Sequence, residues 1–268
     1  MRRRSVNECL NIRTVLYKTP NVLLLEIKNT GSDTAFIVSE GLSMSVNDQN
    51  IPYRWDPYMT IPDGYDTLEG DIIGMYFPFE SACLEEAGID LAAYVNENMQ
   101  KYKNIILIGH SKAGVCLANM AKWLKRVTTM IFVSAPFLGT IITDTKRVRQ
   151  KLTKTEYSIY WKYYNQHKVD LDIMPGSDFL RNANFSGVQK YVCINVISEC
   201  IHMRTPVDIG CKYLNYRLGY RHGDGIVNVA SQEFLSLIYP KVQKIYIDAS
   251  HANSLIRYLS KDAKYIIQ

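Results

Sequence analysis

Serine is a weak nucleophile at neutral pH. It attacks an acyl carbon only when a base takes its proton and a carboxylate holds that base in the right tautomer. Ser111, His251 and Asp224 have the placement this chemistry requires. Ser111 is the apex of Gly109-His110-Ser111-Lys112-Ala113-Gly114, with an apolar run from Asn104 before it. After it, Ala113, Cys116, Leu117, Met120, Ala121 and Leu124 recur at helical spacing. Strand, tight turn and helix would leave the hydroxyl exposed above a strand end, provided the residues two positions either side are small. Gly109 and Ala113 fill those positions, so the pattern is G-x-S-x-A.

The partners follow from chain order, because loops after successive strands of a doubly wound sheet supply them as serine, acid, histidine. Of the histidines, His251 alone falls in a short loop between a final strand-like run, Val242–Asp248, and a closing amphipathic segment with Leu255, Tyr258, Leu259, Ala263 and Ile266. His110 adjoins the serine and should point away from it, His167 lies in the expected lid over 141–177, His202 follows the run at Tyr191, and His222 is close to Asp224. For the acid, Asp224 is flanked by Gly223 and Gly225, which let the backbone turn sharply; its plainer role would be to shape that turn. Asp208 is a weaker rival, and Asp248 is too near His251 along the chain. The developing oxyanion needs two donors, for which the backbone N–H groups of Lys112 and Leu42 are placed, the latter in the glycine loop Glu40-Gly41-Leu42. With backbone donors at work, the Lys112 side chain is expected to face solvent.

These groups need a scaffold that brings distant loops to one edge. Val22–Ile27, Thr34–Ser39, Asp71–Phe77, Asn104–Ile108, Val127–Val133, Tyr191–Ile197 and Val242–Asp248 read as strands. Between Leu84 and Tyr102 the apolar residues mark a long helix, interrupted or kinked near Gly88. Alternating strands and helices predict an α/β fold with a mainly parallel, doubly wound sheet. The alternation lapses over 141–177, where lysines and arginines accompany Tyr157, Tyr160, Trp161, Tyr163 and Tyr164. That segment is expected to form a helical cap or lid after the sixth strand, its plainer alternative being a solvated helical excursion whose aromatics pack on the body.

A chain of 268 residues can bury a substantial core, and a single domain over 1–268 is expected. The excess of 31 Lys and Arg over 26 Asp and Glu is mild and no nucleic-acid motif is present, which argues against a nucleic-acid partner. Six cysteines without a C-x-x-C pair read as reduced thiols, and neither a metal nor a cofactor is expected. No uninterrupted apolar run reaches the roughly 18 residues that would span a bilayer, so stable membrane insertion is not expected and the cytoplasm is the default location.

Taken together, Gly109–Ala113, Ser134-Ala-Pro-Phe-Leu-Gly-Thr140, Met174-Pro-Gly-Ser-Asp-Phe-Leu180 and Gly223-Asp-Gly-Ile-Val227 make the chain resemble the lipase and esterase-like branch of the α/β-hydrolase superfamily. The resemblance runs from about Phe36 to the C-terminus. It implies hydrolysis of a small-molecule carboxylic ester through an acyl-enzyme on Ser111. The same triad serves thioesterases, amidases and acyltransferases, since selectivity lies in pocket shape. Two departures stand out: Glu40 replaces the histidine that such proteins commonly carry before the loop glycine, and Ala113 replaces the second turn glycine. The altered loop leaves a binding module without turnover as the reading from another class. Asn228 stands where a proline often follows the acid loop.

Overall fold

The computed structural model describes residues 14–39, 41, 65–77, 83–126, 129–140, 143–167, 171–183, 191–197, 213, 216–217, 223–224, 226–239, 242–249, 251, 255 and 258–259. Strands β1 (Val15–Lys18), β2 (Leu23–Lys28), β3 (Thr34–Ser39), β4 (Asp71–Tyr76), β5 (Asn104–His110), β6 (Thr129–Val133), β7 (Tyr191–Ile197) and β8 (Gln243–Asp248) form one sheet in the order β1-β2-β4-β3-β5-β6-β7-β8. The β1–β2 and β2–β4 pairs are antiparallel. From β4 to the β8 edge every pairing is parallel, as the sequence predicts. The strand β1, half exposed at the other edge, is too short at four residues to be read as a strand from its sequence.

The central strands are apolar on both faces, and the period of two divides their side chains cleanly. Ala35, Ile37, Ile105, Leu107, Met130 and Phe132 pack with the helices α1 (Leu84–Asn98), α2 (Lys112–Met120) and α6 (Val229–Ile238). Phe36, Val38, Ile106, Ile108, Ile131 and Val133 face the opposite layer, which includes Leu255, Tyr258 and Leu259. Leu255, Tyr258 and Leu259 are helical and buried, as expected of a closing helix, while Ala263 and Ile266 lie outside the described residues.

Helix α1 runs unbroken through Gly88, contrary to the kink that glycine suggests, and ends at Asn98 rather than near Tyr102. Gly88 is small because α2 lies against it: a β-carbon there would stand 3.2 Å from the Met120 Cβ. The α1 start is held by Asp172, whose Oδ2 accepts from the Leu84 N–H at 2.9 Å.

Beyond β6 the chain forms α3 (Thr145–Lys151), α4 (Lys154–His167) and α5 (Asp178–Asn182). The excursion leaves and returns at one point. The Thr140 N–H donates to the Ile173 carbonyl at 3.0 Å, and Gly139, at φ +84°, leaves no room for a β-carbon beside the Pro175 nitrogen 2.6 Å away.

The packing of α2 on β6 locates the glycine requirement that the G-x-S-x-A pattern leaves unfilled. A β-carbon at Gly114 would lie 2.6 Å from the Ala135 Cβ, and one at Gly109 would lie 2.7 Å from the Gly114 nitrogen. Ala113 is fully buried without such conflict, so the close approach falls one residue later than the pattern places it. Gly114→Ala is therefore expected to cost about 1–3 kcal/mol by overpacking, whereas Ala113→Gly should cost no more than about 1 kcal/mol. Thermal denaturation of the two variants checks the order; equal midpoints would contradict it.

Candidate active site

Ser111 follows β5 directly and caps α2 with φ 55° and ψ −131°, a backbone conformation that L-residues other than glycine seldom adopt. Its N–H donates to the Val133 carbonyl at 3.0 Å, tying the turn to the neighbouring strand. The strained turn lifts the side chain off the sheet, and Ser111 is half-buried rather than enclosed.

Asp224 and His251 come from loops near the same end of the sheet. His251 Nε2 lies 3.0 Å from Ser111 Oγ, and His251 Nδ1 lies 2.6 Å from Asp224 Oδ2. The three residues singled out in the sequence thus form one hydrogen-bonded relay. The His251 backbone N–H also donates to the Asp224 carbonyl at 3.1 Å, so main chain as well as side chain holds the pair in register.

The two carboxylate oxygens of Asp224 have different partners. Oδ1 accepts from the N–H groups of Ile226 at 2.9 Å and Val227 at 2.7 Å, shaping the turn, while Oδ2 faces His251. Gly223 is required beside it because a β-carbon would come within 2.3 Å of the Val227 carbonyl oxygen. Asn228, in the place of the usual proline, caps α6 by accepting from the Ser231 N–H at 2.8 Å. Burial alone would push the Asp224 carboxyl up. The facing imidazolium charge, its hydrogen bond, the Ser134 hydroxyl and the Val227 N–H outweigh burial and hold the group below the ordinary carboxylate range.

Ser134 is the residue that sequence reasoning missed. Its hydroxyl donates to Asp224 Oδ2 and lies 3.1 Å from His251 Nδ1, in a fully buried position. The register that pairs His110 with Val133 carries a hint of it: Ser111 and Ser134 each stand one residue beyond adjacent parallel strands.

The rival candidates separate by position. The His110 ring packs against the His251 ring, with centroids 4.6 Å apart, so it borders the site instead of standing away from it. Asp248 is exposed at the end of β8, and His167 belongs to α4. His202, His222 and Asp208 lie outside the described residues, as do Glu40 and Leu42. Gly41 between those two is described, at φ +77°; a β-carbon there would stand 2.2 Å from the His110 carbonyl oxygen and 3.1 Å from the Ser111 Cβ. The glycine loop therefore presses its backbone directly onto the serine turn. Lys112, expected at the surface, is instead buried, with its ammonium 4.6 Å from the centroid of the Phe77 ring.

The root of the excursion is joined to the acid loop. Thr140 Oγ1 donates to the Ile226 carbonyl at 2.6 Å, Ser231 Oγ donates to the Gly139 carbonyl at 2.8 Å, and Ser231 Oγ accepts from the Leu138 N–H at 3.0 Å. On α4 the Tyr157 and Trp161 rings stack, and Trp161 is exposed while Tyr160 is buried. No helix among the described residues is long and apolar enough to cross a membrane.

No protein-family model matches the chain, and comparison with characterised proteins by sequence finds no match. Solved structures do resemble it. An esterase of Pyrococcus furiosus, Pf2001, superposes with a TM-score of 0.55 over 98% of this chain and 94% of its own, at 16% identity. A naproxen esterase of Bacillus subtilis gives 0.54 over 98% and 95% at 11% identity. The lipase BlEst2 of Bacillus licheniformis, in its mature form, gives 0.51 over 95% and 94% at 15% identity. With the strand order and the parallel pairings described above, these likenesses show that the chain has the α/β-hydrolase fold.

Proposed function

We propose that the chain is a serine hydrolase of carboxylic esters. One observation carries this reading: the unbroken relay from Ser111 Oγ through the His251 ring to a buried Asp224 carboxylate. Ser111 attacks the acyl carbon while His251 Nε2 takes its proton. Collapse of the tetrahedral intermediate returns that proton to the leaving alkoxide and leaves an acyl group on Ser111. Water, deprotonated by the same nitrogen, then releases the acid. Asp224 holds the imidazole with its proton on Nδ1 and offsets the positive charge that forms. The Lys112 N–H, at the first position of α2 and ahead of its first intrahelical hydrogen bond, supplies one oxyanion donor. The Leu42 N–H supplies the other, supported by the contact of Gly41 with the turn.

Helices α3 and α4 act as a cap over the acyl group. Support comes from the exposed Trp161 stacked on Tyr157 and from the hydrogen bonds that fasten the cap root to the acid loop.

A fluorophosphonate probe should label the wild-type protein and fail to label Ser111→Ala. Turnover of p-nitrophenyl acyl esters should fall by about 10^4-fold or more in Ser111→Ala, His251→Ala and Asp224→Asn. Labelling of Ser111→Ala at the wild-type rate would reject the mechanism, and absence of turnover by the wild type would favour a binding module.

The carboxyl of Asp224 also sets a pH dependence. Its proton is held less tightly in the folded chain than in the unfolded one, where the value is about 3.9. The resulting stability is complete above that unfolded value and is lost as pH falls through the folded one. The stability difference between wild type and Asp224→Asn should therefore be widest near neutrality and shrink below about pH 4. Urea unfolding at stepped pH measures it, and a difference independent of pH would count against an ionised Asp224.

For the cap, Trp161→Ala and Tyr157→Ala should raise KM for long-chain esters several-fold more than for acetyl esters, about 1 kcal/mol of lost apolar contact. Equal effects across a chain-length series would remove the acyl contact.

A further inference from the structure

Among the described residues, only Ser111 and Ser134 have positive φ without being glycine, at 55° and 51°. The first conformation is explained by exposing the nucleophile. The second has no such explanation in local sequence. Glycine would adopt it without strain, so the serine is retained in spite of its backbone.

The reason lies in what the hydroxyl touches. Ser134 Oγ faces two groups, Asp224 Oδ2 and, at 3.1 Å, His251 Nδ1. A hydroxyl has one proton to give and two lone pairs to offer. If it gave the proton to Nδ1, that nitrogen would have to be unprotonated. Its lone pair would then oppose the Asp224 carboxylate oxygen 2.6 Å away. Giving the proton to Asp224 removes the conflict. The oxygen of Ser134 then faces Nδ1 as a second acceptor beside the carboxylate, and the proton of the neutral ring is driven to Nδ1. Nε2 is left with its lone pair toward Ser111, the arrangement a general base needs.

We propose that Ser134 is a positioning residue of the site, a fourth member of the relay, whose hydroxyl selects the His251 tautomer that can accept the proton of Ser111. This role rests on the triad reading given above. Ser134 touches no reacting atom; it acts through Asp224 and His251. The strained backbone aims the side chain back beneath the imidazole, from a position flush with Ser111 on the neighbouring strand.

The test uses Ser134→Gly and Ser134→Ala in the full chain. Glycine relaxes the backbone and alanine keeps the β-carbon, and both remove the hydroxyl. Both variants should lose about tenfold or more in kcat and in the rate of fluorophosphonate inactivation, the scale of one hydrogen bond to a charged group. KM should be unchanged, and Ser134→Gly should melt at or above the wild-type temperature. The low-field proton resonance of the His251 Nδ1–H should move upfield in both. Wild-type kcat and inactivation rate in both variants would overturn the proposal, as would a loss of activity that tracks a lower melting temperature in Ser134→Gly. Failure of the probe to label the wild type would instead remove the triad, and the role of Ser134 with it.

Discussion

A carboxylate with no exposed surface sets the terms for this end of the molecule. Removing such a charge from water is costly unless every oxygen finds a partner. Asp224 finds them in the N–H groups of Ile226 and Val227, the Ser134 hydroxyl and the His251 ring. Each partner comes with its own constraint. The turn must bend at Gly223, the residue after β6 must take a left-handed backbone, and the segment after β8 must return to Asp224 through its main chain. The geometry around His251 is in this sense the solution to burying one charge.

The serine turn imposes the complementary constraint, that of space. Three backbone segments meet there too closely for side chains: Gly41 against His110, Gly109 against Gly114, and Gly114 against Ala135. Sheet, helix and glycine loop are thereby locked to one another at the point where the hydroxyl emerges. The buried Lys112 adds to this lock by resting its ammonium on the ring of Phe77, the residue after β4.

Much of this was legible in the chain itself, and the rest was not for physical reasons. The strands β3 and β7 coincide with their predicted spans because they are short, mostly apolar runs rich in β-branched and aromatic residues. Ser111, Asp224 and His251 were singled out by order along the chain, a constraint of topology that needs no contact information, and the structure brings them within hydrogen-bonding distance. Ser134 was not singled out, because a hydroxyl that acts across the sheet leaves no local periodicity. Gly88 was misread for the related reason that a glycine needed for helix contact and one that breaks a helix look the same in sequence. Lys112 was placed at the surface by its charge, although its long apolar stem and a ring for its ammonium allow it to lie inside.

The Thr140–Ile173 hydrogen bond has a different kind of consequence. It closes the excursion between β6 and α5 into a loop whose two ends are pinned side by side. Closing a loop of twice the length costs only about 0.6 kcal/mol more. The root, tied through Thr140 and Ser231 to the acid loop, cannot change without disturbing the relay, whereas the segment between its ends can grow, shrink or be exchanged at little thermodynamic cost. The fold thus separates a root fixed by its hydrogen bonds from a span whose length they leave free.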